Sequence, residues 1–290
     1  MLDAFEERRI EVGGSVVALS VAGSGPPLLL LHGYPQTRVC WHRVAPALAE
    51  RFTVVAADLR GYGDSAKPVG GHGHVAYSKR EMARDLVGAM EALGHRRFGV
   101  AGHDRGGRVA HRMALDHPAA VDRVALLDIV PTRTLFENTD QAFATAYYHW
   151  FFLIQPDGLP ETMIGHDPEW FLRETLRRWS GRAEPIAEEA IREYARAFRD
   201  PAAIHGSCED YRAAASIDLV HDAADAGTRI ARPLLVLWGE HGAMHRLYDV
   251  LEAWRPMGAD VRGHALPCGH FLPEESPALT IEALGSFFAP

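Results

Sequence analysis

Residues 97–111 read RFGVAGHDRGGRVAH, an apolar stretch that leads through closely spaced glycines into a helical pattern. Gly102 and Gly106 stand two residues on either side of Asp104, which gives the pattern glycine-x-nucleophile-x-glycine with aspartate in the central place. Only small residues at these places let the backbone turn sharply from a strand into a helix. Such a turn lifts the central side chain clear of the sheet, at a helix N-terminus that favours an ionised carboxylate. We therefore predict that Asp104 is a nucleophile.

The pattern alone has a simpler explanation, because a glycine-rich loop with aspartate as a helix N-cap gives the same letters. Two other stretches favour catalysis. Residues 28–35, LLLLHGYP, end an apolar run where a second backbone N–H can stabilise an oxyanion. Residues 268–271, CGHF, hold His270 in a glycine-flanked loop near the end of the chain. Nucleophile, acid and then histidine is the order in which a catalytic triad of this type follows the chain.

The composition limits the partners and the location that we expect. The net charge of −8 argues against nucleic acid and anionic membranes, since both reward an excess of Lys and Arg. Cys40, Cys208 and Cys268 are scattered without a CxxC pair, which is typical of free thiols in a reducing compartment. The N-terminus has no leader pattern, and no apolar run of about 18 residues occurs. We expect a soluble, cytoplasmic protein.

Short apolar runs alternate with longer amphipathic stretches, which predicts an α/β fold with a mostly parallel central sheet flanked by helices. A helix is predicted over 78–93, because a serine begins it and a glycine follows it. The alternation stops over residues 131–230, which are rich in aromatic residues, Arg and Glu. We predict a core formed by residues 1–130 and 231–290, with a helical lid inserted at 131–230. The predicted strands are residues 16–21, 27–31, 53–58, 98–102, 124–129, 233–238 and 261–266.

Short motifs along almost the whole chain carry a resemblance to a known family. They are HGYP at 32–35, ADLRGYGDS at 57–65, AGHDRGG at 101–107, LLDIVPT at 126–132, LWGEHG at 237–242 and GHFLPEE at 269–275. In them the chain resembles the α/β hydrolases of the epoxide hydrolase and dehalogenase branch, and within that branch it is most similar to the fluoroacetate dehalogenases. The resemblance implies an α/β-hydrolase fold with an inserted helical cap.

Two arginines distinguish this chain from the rest of that branch. Arg105 directly follows Asp104, and Arg108 lies one helical turn further on, so both guanidinium groups can lie above the same helix N-terminus. A guanidinium group binds a carboxylate with two parallel hydrogen bonds, which predicts a clamp for the carboxylate of a haloacid. Surface arginines, or ion pairs with structural acids, would explain the same letters.

The resemblance also assigns residues in the predicted lid. His149 and Trp150, together with Tyr211, match the positions that hold the departing halide in the family, and their N–H and O–H groups can meet its developing charge. Trp179 resembles a residue that narrows the pocket towards a two-carbon acid. Aromatic residues in a helical segment are more often simple packing, so the residue types alone do not decide this role.

These assignments predict hydrolysis of fluoroacetate to glycolate and fluoride through an ester on Asp104. His270 would activate water, and the backbone N–H groups of Tyr34 and Arg105 would stabilise the oxyanion. The acid that orients His270 is Asp128 or, in reserve, Glu240. The reaction needs no metal and no cofactor.

Two alternatives remain open at this stage. An epoxide hydrolase uses the same Asp and His but needs tyrosine O–H groups, for which Tyr147, Tyr148 and Tyr211 are available. A small-molecule receptor could keep the pocket on the same scaffold without turnover. By resemblance, a homodimer through the lid is expected.

Overall fold

The computed structural model describes residues 1–181 and 186–289. Within them, eight strands form one sheet in the order β1-β2-β4-β3-β5-β6-β7-β8. The strands are β1 (Glu6–Val12), β2 (Ser15–Ala22), β3 (Pro27–Leu31), β4 (Thr53–Ala57), β5 (Phe98–His103), β6 (Val121–Leu127), β7 (Leu234–Gly239) and β8 (Val261–Leu266).

The strands pair in two ways. β1, β2 and β4 pair antiparallel, and every pairing from β4 across to β8 is parallel. The carboxyl ends of β3, β5, β6, β7 and β8 therefore lie at one edge of the sheet, which is where ligands bind in folds of this kind. The predicted mostly parallel sheet is confirmed.

All seven predicted strands are present, β3 and β8 with the predicted ends and the other five with shifted ends, and β1 is the strand that the sequence did not predict. Most residues of β1 are exposed, and its sequence EERRIEV has no buried face that would produce an apolar run. It is an edge strand whose one partner among the described strands is β2. Its backbone pairing therefore leaves almost no hydrophobic signal in the sequence.

Helices cover the sheet. The helices outside the segment between β6 and β7 are α1 (Ala45–Ala49), α2 (Lys79–Ala92), α3 (Arg105–Asp116), α12 (Ala243–Leu247), α13 (Val250–Trp254), α14 (Leu272–Glu275) and α15 (Pro277–Phe288), with 3-10 turns at Arg38–Trp41, His72–Tyr77 and Arg255–Met257. The predicted helix at 78–93 is α2, and the Ser78 side chain caps it by accepting a hydrogen bond from the Glu81 N–H.

The segment between β6 and β7, here called the helical segment, follows the predicted composition. Its helices are α4 (Thr132–Glu137), α5 (Gln141–Ala146), α6 (Tyr148–Phe152), α7 (Leu159–His166), α8 (Pro168–Trp179), α9 (Glu188–Phe198), α10 (Pro201–Ala214) and α11 (Ile217–Ala224). Its described residues contain no strand longer than an isolated bridge at Ile230. The division into a core and a lid stays a prediction.

The centre of the sheet is almost completely buried. β3 and β4 are buried except at their first residues, and every residue of β5 is buried. This supports a rigid platform beneath Asp104, which directly follows β5. Among the described helices, none combines the length and the apolar character that crossing a membrane requires.

Candidate active site

The turn that carries Asp104 has the predicted steric cause. Asp104 adopts φ 46° and ψ −112°, an unusual conformation for a residue other than glycine. A Cβ atom on Gly106 would lie 2.5 Å from the carbonyl oxygen of His32, and one on Gly102 would collide with the Gly106 carbonyl group. The glycines at 102 and 106 therefore permit the close approach of β5, α3 and the loop after β3.

The loop after β3 holds one oxygen of the Asp104 carboxylate. The backbone N–H of Tyr34 donates a hydrogen bond to Asp104 Oδ2 at 3.0 Å, between residues that are both buried. Oδ1 does not share this bond, so the two oxygens of Asp104 are chemically distinct. Tyr34 thus stands where the sequence placed an oxyanion N–H, while its role and that of the Arg105 N–H stay predictions.

Asp128 and His270 meet although 142 positions separate them in the chain. The His270 Nδ1 lies 2.6 Å from Asp128 Oδ2, and the Gly239 N–H donates to Asp128 Oδ1 at 2.9 Å. Because a carboxylate only accepts, Nδ1 is the donor, which leaves Nε2 to accept a proton. Nε2 is buried without a partner among the described residues. Glu240, the reserve acid, is exposed to solvent.

The charges around the two groups shift their pKa values in opposite directions. Burial alone would raise the pKa of Asp104, but the positive charges of His270, Arg105 and Arg108 lower it below its ordinary value. Burial opposes the charged form of His270, but the hydrogen bond and charge of Asp128, with the charge of Asp104, raise its pKa. Asp104 is therefore an ionised carboxylate at neutral pH.

Arg105 is fully buried and is paired with an acid that the sequence did not single out. Its Nε and Nη2 donate to the two carboxylate oxygens of Asp210, each at 2.8 Å. Its remaining nitrogen, Nη1, is buried without a partner in the part of the chain that the structure describes. Lys79 and the Tyr62 hydroxyl group also contact Asp210. Asp210 thus neutralises Arg105 and fixes the direction of its free N–H groups.

Arg108 differs from Arg105 in its partners. Its Nη1 donates to the Val130 carbonyl oxygen at 3.0 Å and to Thr132 Oγ1 at 2.9 Å, which are both neutral acceptors. Its Nε is buried without a partner, and no carboxylate among residues 1–181 and 186–289 forms an ion pair with it. Burial and the charge of Arg105 lower the pKa of Arg108 to about 10, so it stays charged at neutral pH.

Three further polar groups lie beside the arginines. The His149 Nδ1, the Trp150 Nε1 and the Tyr211 hydroxyl group are all buried, and none has a partner among the described residues. The Tyr211 ring lies with its centroid 5.7 Å from that of His149 and 5.9 Å from that of Trp150. The Arg105 guanidinium carbon lies 4.1 Å from the Tyr211 ring centroid. Buried polar groups usually have partners, so this cluster is typical of a ligand site.

The Trp179 ring lies between His149 and His270. Its ring centroid lies 4.3 Å from that of His149 and 5.4 Å from that of His270. A cavity of about 260 Å³ opens beside it and reaches Asp104. The residues that line this cavity are Asp104, Asp128, Thr145, Ala146, Tyr147, Tyr148, His149, Arg178, Trp179, Ser180, His241, Gly242, Ala243, Arg246 and His270.

Asp210, which binds Arg105, was not predicted from the sequence, and neither were Lys79 and Tyr62, which contact Asp210. A signal was available in principle, because a buried guanidinium group requires an acid and Asp210 directly precedes Tyr211. The choice of that acid depends on contacts between residues 105 positions apart. Within the described residues, no group of three or more His, Cys, Asp or Glu side chains is arranged to hold a metal ion.

A family model of the α/β hydrolase fold matches residues 26–277. The chain belongs to the α/β-hydrolase family. It is 48% identical over 290 residues to a fluoroacetate dehalogenase from Burkholderia sp., covering 100% of this chain and 95% of that protein. It is 38% identical over 275 residues to a soluble epoxide hydrolase from Corynebacterium sp. (strain C12), covering 93% and 92% of the two chains.

A solved α/β-hydrolase structure agrees with this assignment. The fold matches that of ALR0039 from Nostoc sp. PCC 7120 with a TM-score of 0.98 and 56% identity, covering 99% of each chain. The predicted α/β-hydrolase fold and the predicted resemblance to the fluoroacetate dehalogenases are confirmed.

Proposed function

We propose that this α/β hydrolase removes halide from small 2-haloacids, with fluoroacetate converted to glycolate and fluoride through an ester on Asp104. The observation that carries the proposal is Arg108, a buried cation without an acidic partner among the described residues, one helical turn from a buried aspartate. A buried charge is costly unless an opposite charge meets it. The carboxylate of a haloacid would provide that charge.

Binding would use the free N–H groups of the two arginines. Arg105 Nη1 and Arg108 Nε are buried and have no partner among the described residues, so the substrate carboxylate would lie between the two guanidinium groups. This would fix the α-carbon in front of Asp104 Oδ1, the oxygen that Tyr34 does not hold. Alignment of this kind removes much of the entropic cost of attack.

The first step would be a displacement at the α-carbon. Asp104 Oδ1 forms a bond to that carbon while the carbon–fluorine bond breaks, and fluoride leaves with the bonding electron pair. The polar groups of His149, Trp150 and Tyr211 would donate to the fluoride, since each is buried and has no partner in the described part of the chain. Donors already fixed in a dry site stabilise such a charge without reorganising. The product of this step is a carboxymethyl ester of Asp104, in which the former nucleophile oxygen Oδ1 will become the hydroxyl oxygen of glycolate.

The second step would hydrolyse that ester. His270 Nε2 takes a proton from water while the water oxygen attacks the Asp104 carboxyl carbon. Negative charge then develops on Oδ2, where the Tyr34 N–H already donates. The bond from the carboxyl carbon to Oδ1 breaks, His270 returns the proton to the leaving oxygen, and glycolate departs. The second proton of the water leaves the new carboxyl group for solvent, which restores the Asp104 carboxylate. Asp128 would hold the imidazole and stabilise its charged form.

The choice of a haloacid over an epoxide depends on the arginines. The Burkholderia relative is named for fluoroacetate, and the Corynebacterium relative for epoxides. Tyr211, with its free buried hydroxyl group, could also protonate an epoxide oxygen. An uncharged epoxide, however, would leave the Arg108 charge unmet, which is why the haloacid is favoured.

Direct turnover distinguishes the candidates. The purified protein is incubated separately with fluoroacetate, chloroacetate and styrene oxide, and halide and diol are measured. We expect halide and glycolate from the acids and little diol. Diol without halide would establish an epoxide hydrolase, and binding of fluoroacetate without either product would establish a receptor.

The ester can be trapped by removing the proposed base. In His270→Ala the first displacement should proceed and the second should stop, so fluoride is released in one burst of about one equivalent per site. Mass spectrometry of the digested protein should find the added carboxymethyl group on the peptide that contains Asp104. Absence of this adduct in a variant that still binds fluoroacetate would contradict the two-step route.

A further inference from the structure

Glu275 is a buried acid that the reaction above does not use. It ends α14, five residues after His270, and it is 3% exposed. Its carboxylate accepts three backbone hydrogen bonds: from Gly181 at 2.7 Å and Gly269 at 3.0 Å on Oε2, and from Phe271 at 3.0 Å on Oε1. Two of these donors flank His270 on either side.

These bonds stabilise the carboxylate in place of a cation. Among the described residues, no Lys, Arg or His forms an ion pair with Glu275. A carboxylate that accepts two or three N–H bonds can remain ionised when buried. An apolar side chain here would leave the N–H groups of Gly181, Gly269 and Phe271 without this acceptor, so the carboxylate does something that packing alone does not.

The donors belong to two parts of the chain that pass very close to each other. A Cβ atom on Gly181 would lie 2.5 Å from the backbone nitrogen of Gly269. Beside this contact the His270 N–H donates to the Trp179 carbonyl oxygen at 3.0 Å. Glu275 therefore joins the end of α8, which carries Trp179, to the loop that carries His270.

We propose that Glu275 is a positioning residue that holds the His270 loop against residues 179–181, and so keeps His270 Nε2 and the Trp179 ring in place above Asp104. This inference rests on the proposed function for its kinetic consequences. The contact itself is independent of the substrate. Loss of the Glu275 charge would free the Gly269 and Phe271 N–H groups and loosen the loop on both sides of the imidazole.

The charge of Glu275 also acts on His270 through space. Burial opposes protonation of His270, while Asp128, Asp104 and then Glu275 raise its pKa. The other titratable rings that face it are His103, at 4.6 Å between ring centroids, and His149. All of these groups would remain after substitution of Glu275. A lower pKa of His270 in the variant would therefore report the missing charge.

The test compares Glu275→Gln with Glu282→Gln, which removes the same charge from an exposed position on α15. In Glu275→Gln we expect fluoroacetate to form the Asp104 ester at a rate close to that of the unchanged protein. Hydrolysis of the ester should be about 10- to 100-fold slower, so the ester accumulates in rapid-quench mass spectra. The Glu282→Gln variant should behave like the unchanged protein.

A second readout needs no substrate. With carbon-13-labelled histidine, the His270 imidazole is assigned by its loss in His270→Ala and titrated by NMR. Its pKa should fall in Glu275→Gln and stay unchanged in Glu282→Gln. If the protein releases no halide, the proposed function fails, but this titration still tests the contact between Glu275 and His270.

A second variant, at Gly181, tests the same contact in case Glu275→Gln does not fold. If Glu275→Gln does not fold, Gly181→Ala keeps the acid and disturbs the contact with Gly269, and it should also slow ester hydrolysis. A folded Glu275→Gln with unchanged ester hydrolysis and an unchanged His270 pKa would overturn the proposal. So would Gly181→Ala with unchanged ester hydrolysis, when the first variant is unfolded.

Discussion

Arg105 and Arg108 lie one turn apart on α3, yet only Arg105 has an acidic partner among the described residues. Arg105 is held by the carboxylate of Asp210, whereas Arg108 donates to a carbonyl and a hydroxyl oxygen. Their neighbours thus give two chemically similar side chains different tasks. Arg105 is part of a buried ion network that also stabilises the fold, while Arg108 carries a charge that no carboxylate of the described residues pairs with and that the proposed substrate would meet.

Replacing each arginine by methionine should separate these tasks. Arg105→Met leaves Asp210 with only Lys79 as a cationic partner, and we expect a loss of about 3 kcal/mol in the free energy of unfolding. Arg108→Met removes an unpaired buried charge, so stability should change by less than about 1 kcal/mol or rise. Both should raise KM for fluoroacetate. Urea denaturation without substrate checks the contrast, and equal losses of stability would contradict it.

The pH dependence of ester hydrolysis follows from the charge of Asp104. In the free enzyme, burial opposes charge on His270, but Asp128 and Asp104 raise its pKa above the ordinary value of a histidine. Formation of the ester removes the negative charge of Asp104, so the His270 pKa in the ester should be lower than in the free enzyme. Since neutral His270 is the base, ester decay should speed up as pH rises through this lower value.

Rapid-quench mass spectrometry across pH gives the decay rates, and NMR titration gives the pKa of His270 in the free enzyme. An acidic limb of ester decay at or above the free-enzyme pKa would show that Asp104 does not control this titration.

At the level of elements, the turn from β5 to α3 depends on a glycine contact that tolerates no side chain. In Gly106→Ala the new Cβ would lie 2.5 Å from the His32 carbonyl oxygen, so we expect a loss of several kcal/mol of stability. Gly165 in α7 is the matched control, because a Cβ there meets nothing within 4 Å. Gly165→Ala should stabilise the protein by roughly 0.5–1 kcal/mol. Thermal unfolding of both variants checks this: the unfolding temperature should fall in Gly106→Ala and rise in Gly165→Ala.

The same elements explain how far the sequence could predict the fold. β3 and β5 are buried along almost all their length, so their apolar runs identify them. β1 is exposed and depends on backbone pairing with β2, which hydrophobic patterning does not record. The short turns around Asp104 and His270 were visible because their glycines are close in sequence to the side chains that they present.

The partners of those side chains were harder to predict. Asp210 and Glu275 act on Arg105 and on the His270 loop through contacts that only the folded chain creates. Nothing in the letters CEDYR or LPEE distinguishes these acids from their neighbours Glu209 and Glu274. Asp128 was identified over Glu240 through the resemblance, and the hydrogen bond to His270 supports that choice without testing the catalytic role.

For the whole molecule, the distribution of charge affects how an anionic substrate approaches. The net charge of −8 repels a haloacid at long range, but Arg178 and Arg246 are exposed and line the cavity that reaches Asp104. Arg178 is paired with Glu174, whereas Arg246 donates to the His241 carbonyl oxygen. Positive groups at the mouth of a cavity increase the rate at which anions enter.

Arg246→Glu should therefore lower kcat/KM for fluoroacetate several-fold at low ionic strength, with the effect shrinking as salt is added. Arg9→Glu makes the same change in net charge on the exposed strand β1, outside the residues that line the cavity. It should have little effect. Both variants are measured from about 10 to 500 mM salt. Equal effects on kcat/KM would show that the net charge of the protein, rather than the charge of Arg246 at the cavity opening, attracts the substrate.

The hydrogen bond from the Tyr34 N–H makes the two oxygens of Asp104 unequal. In the proposed cycle, one of them is therefore replaced at each turnover and the other is kept. Oδ1 leaves as the hydroxyl oxygen of glycolate, and an oxygen from water takes its place, while Oδ2 stays in its hydrogen bond. Each product thus carries an atom that entered the protein one cycle earlier. In oxygen-18 water, the first glycolate from each site should be unlabelled and the next labelled, and Asp104 should exchange one oxygen rather than two.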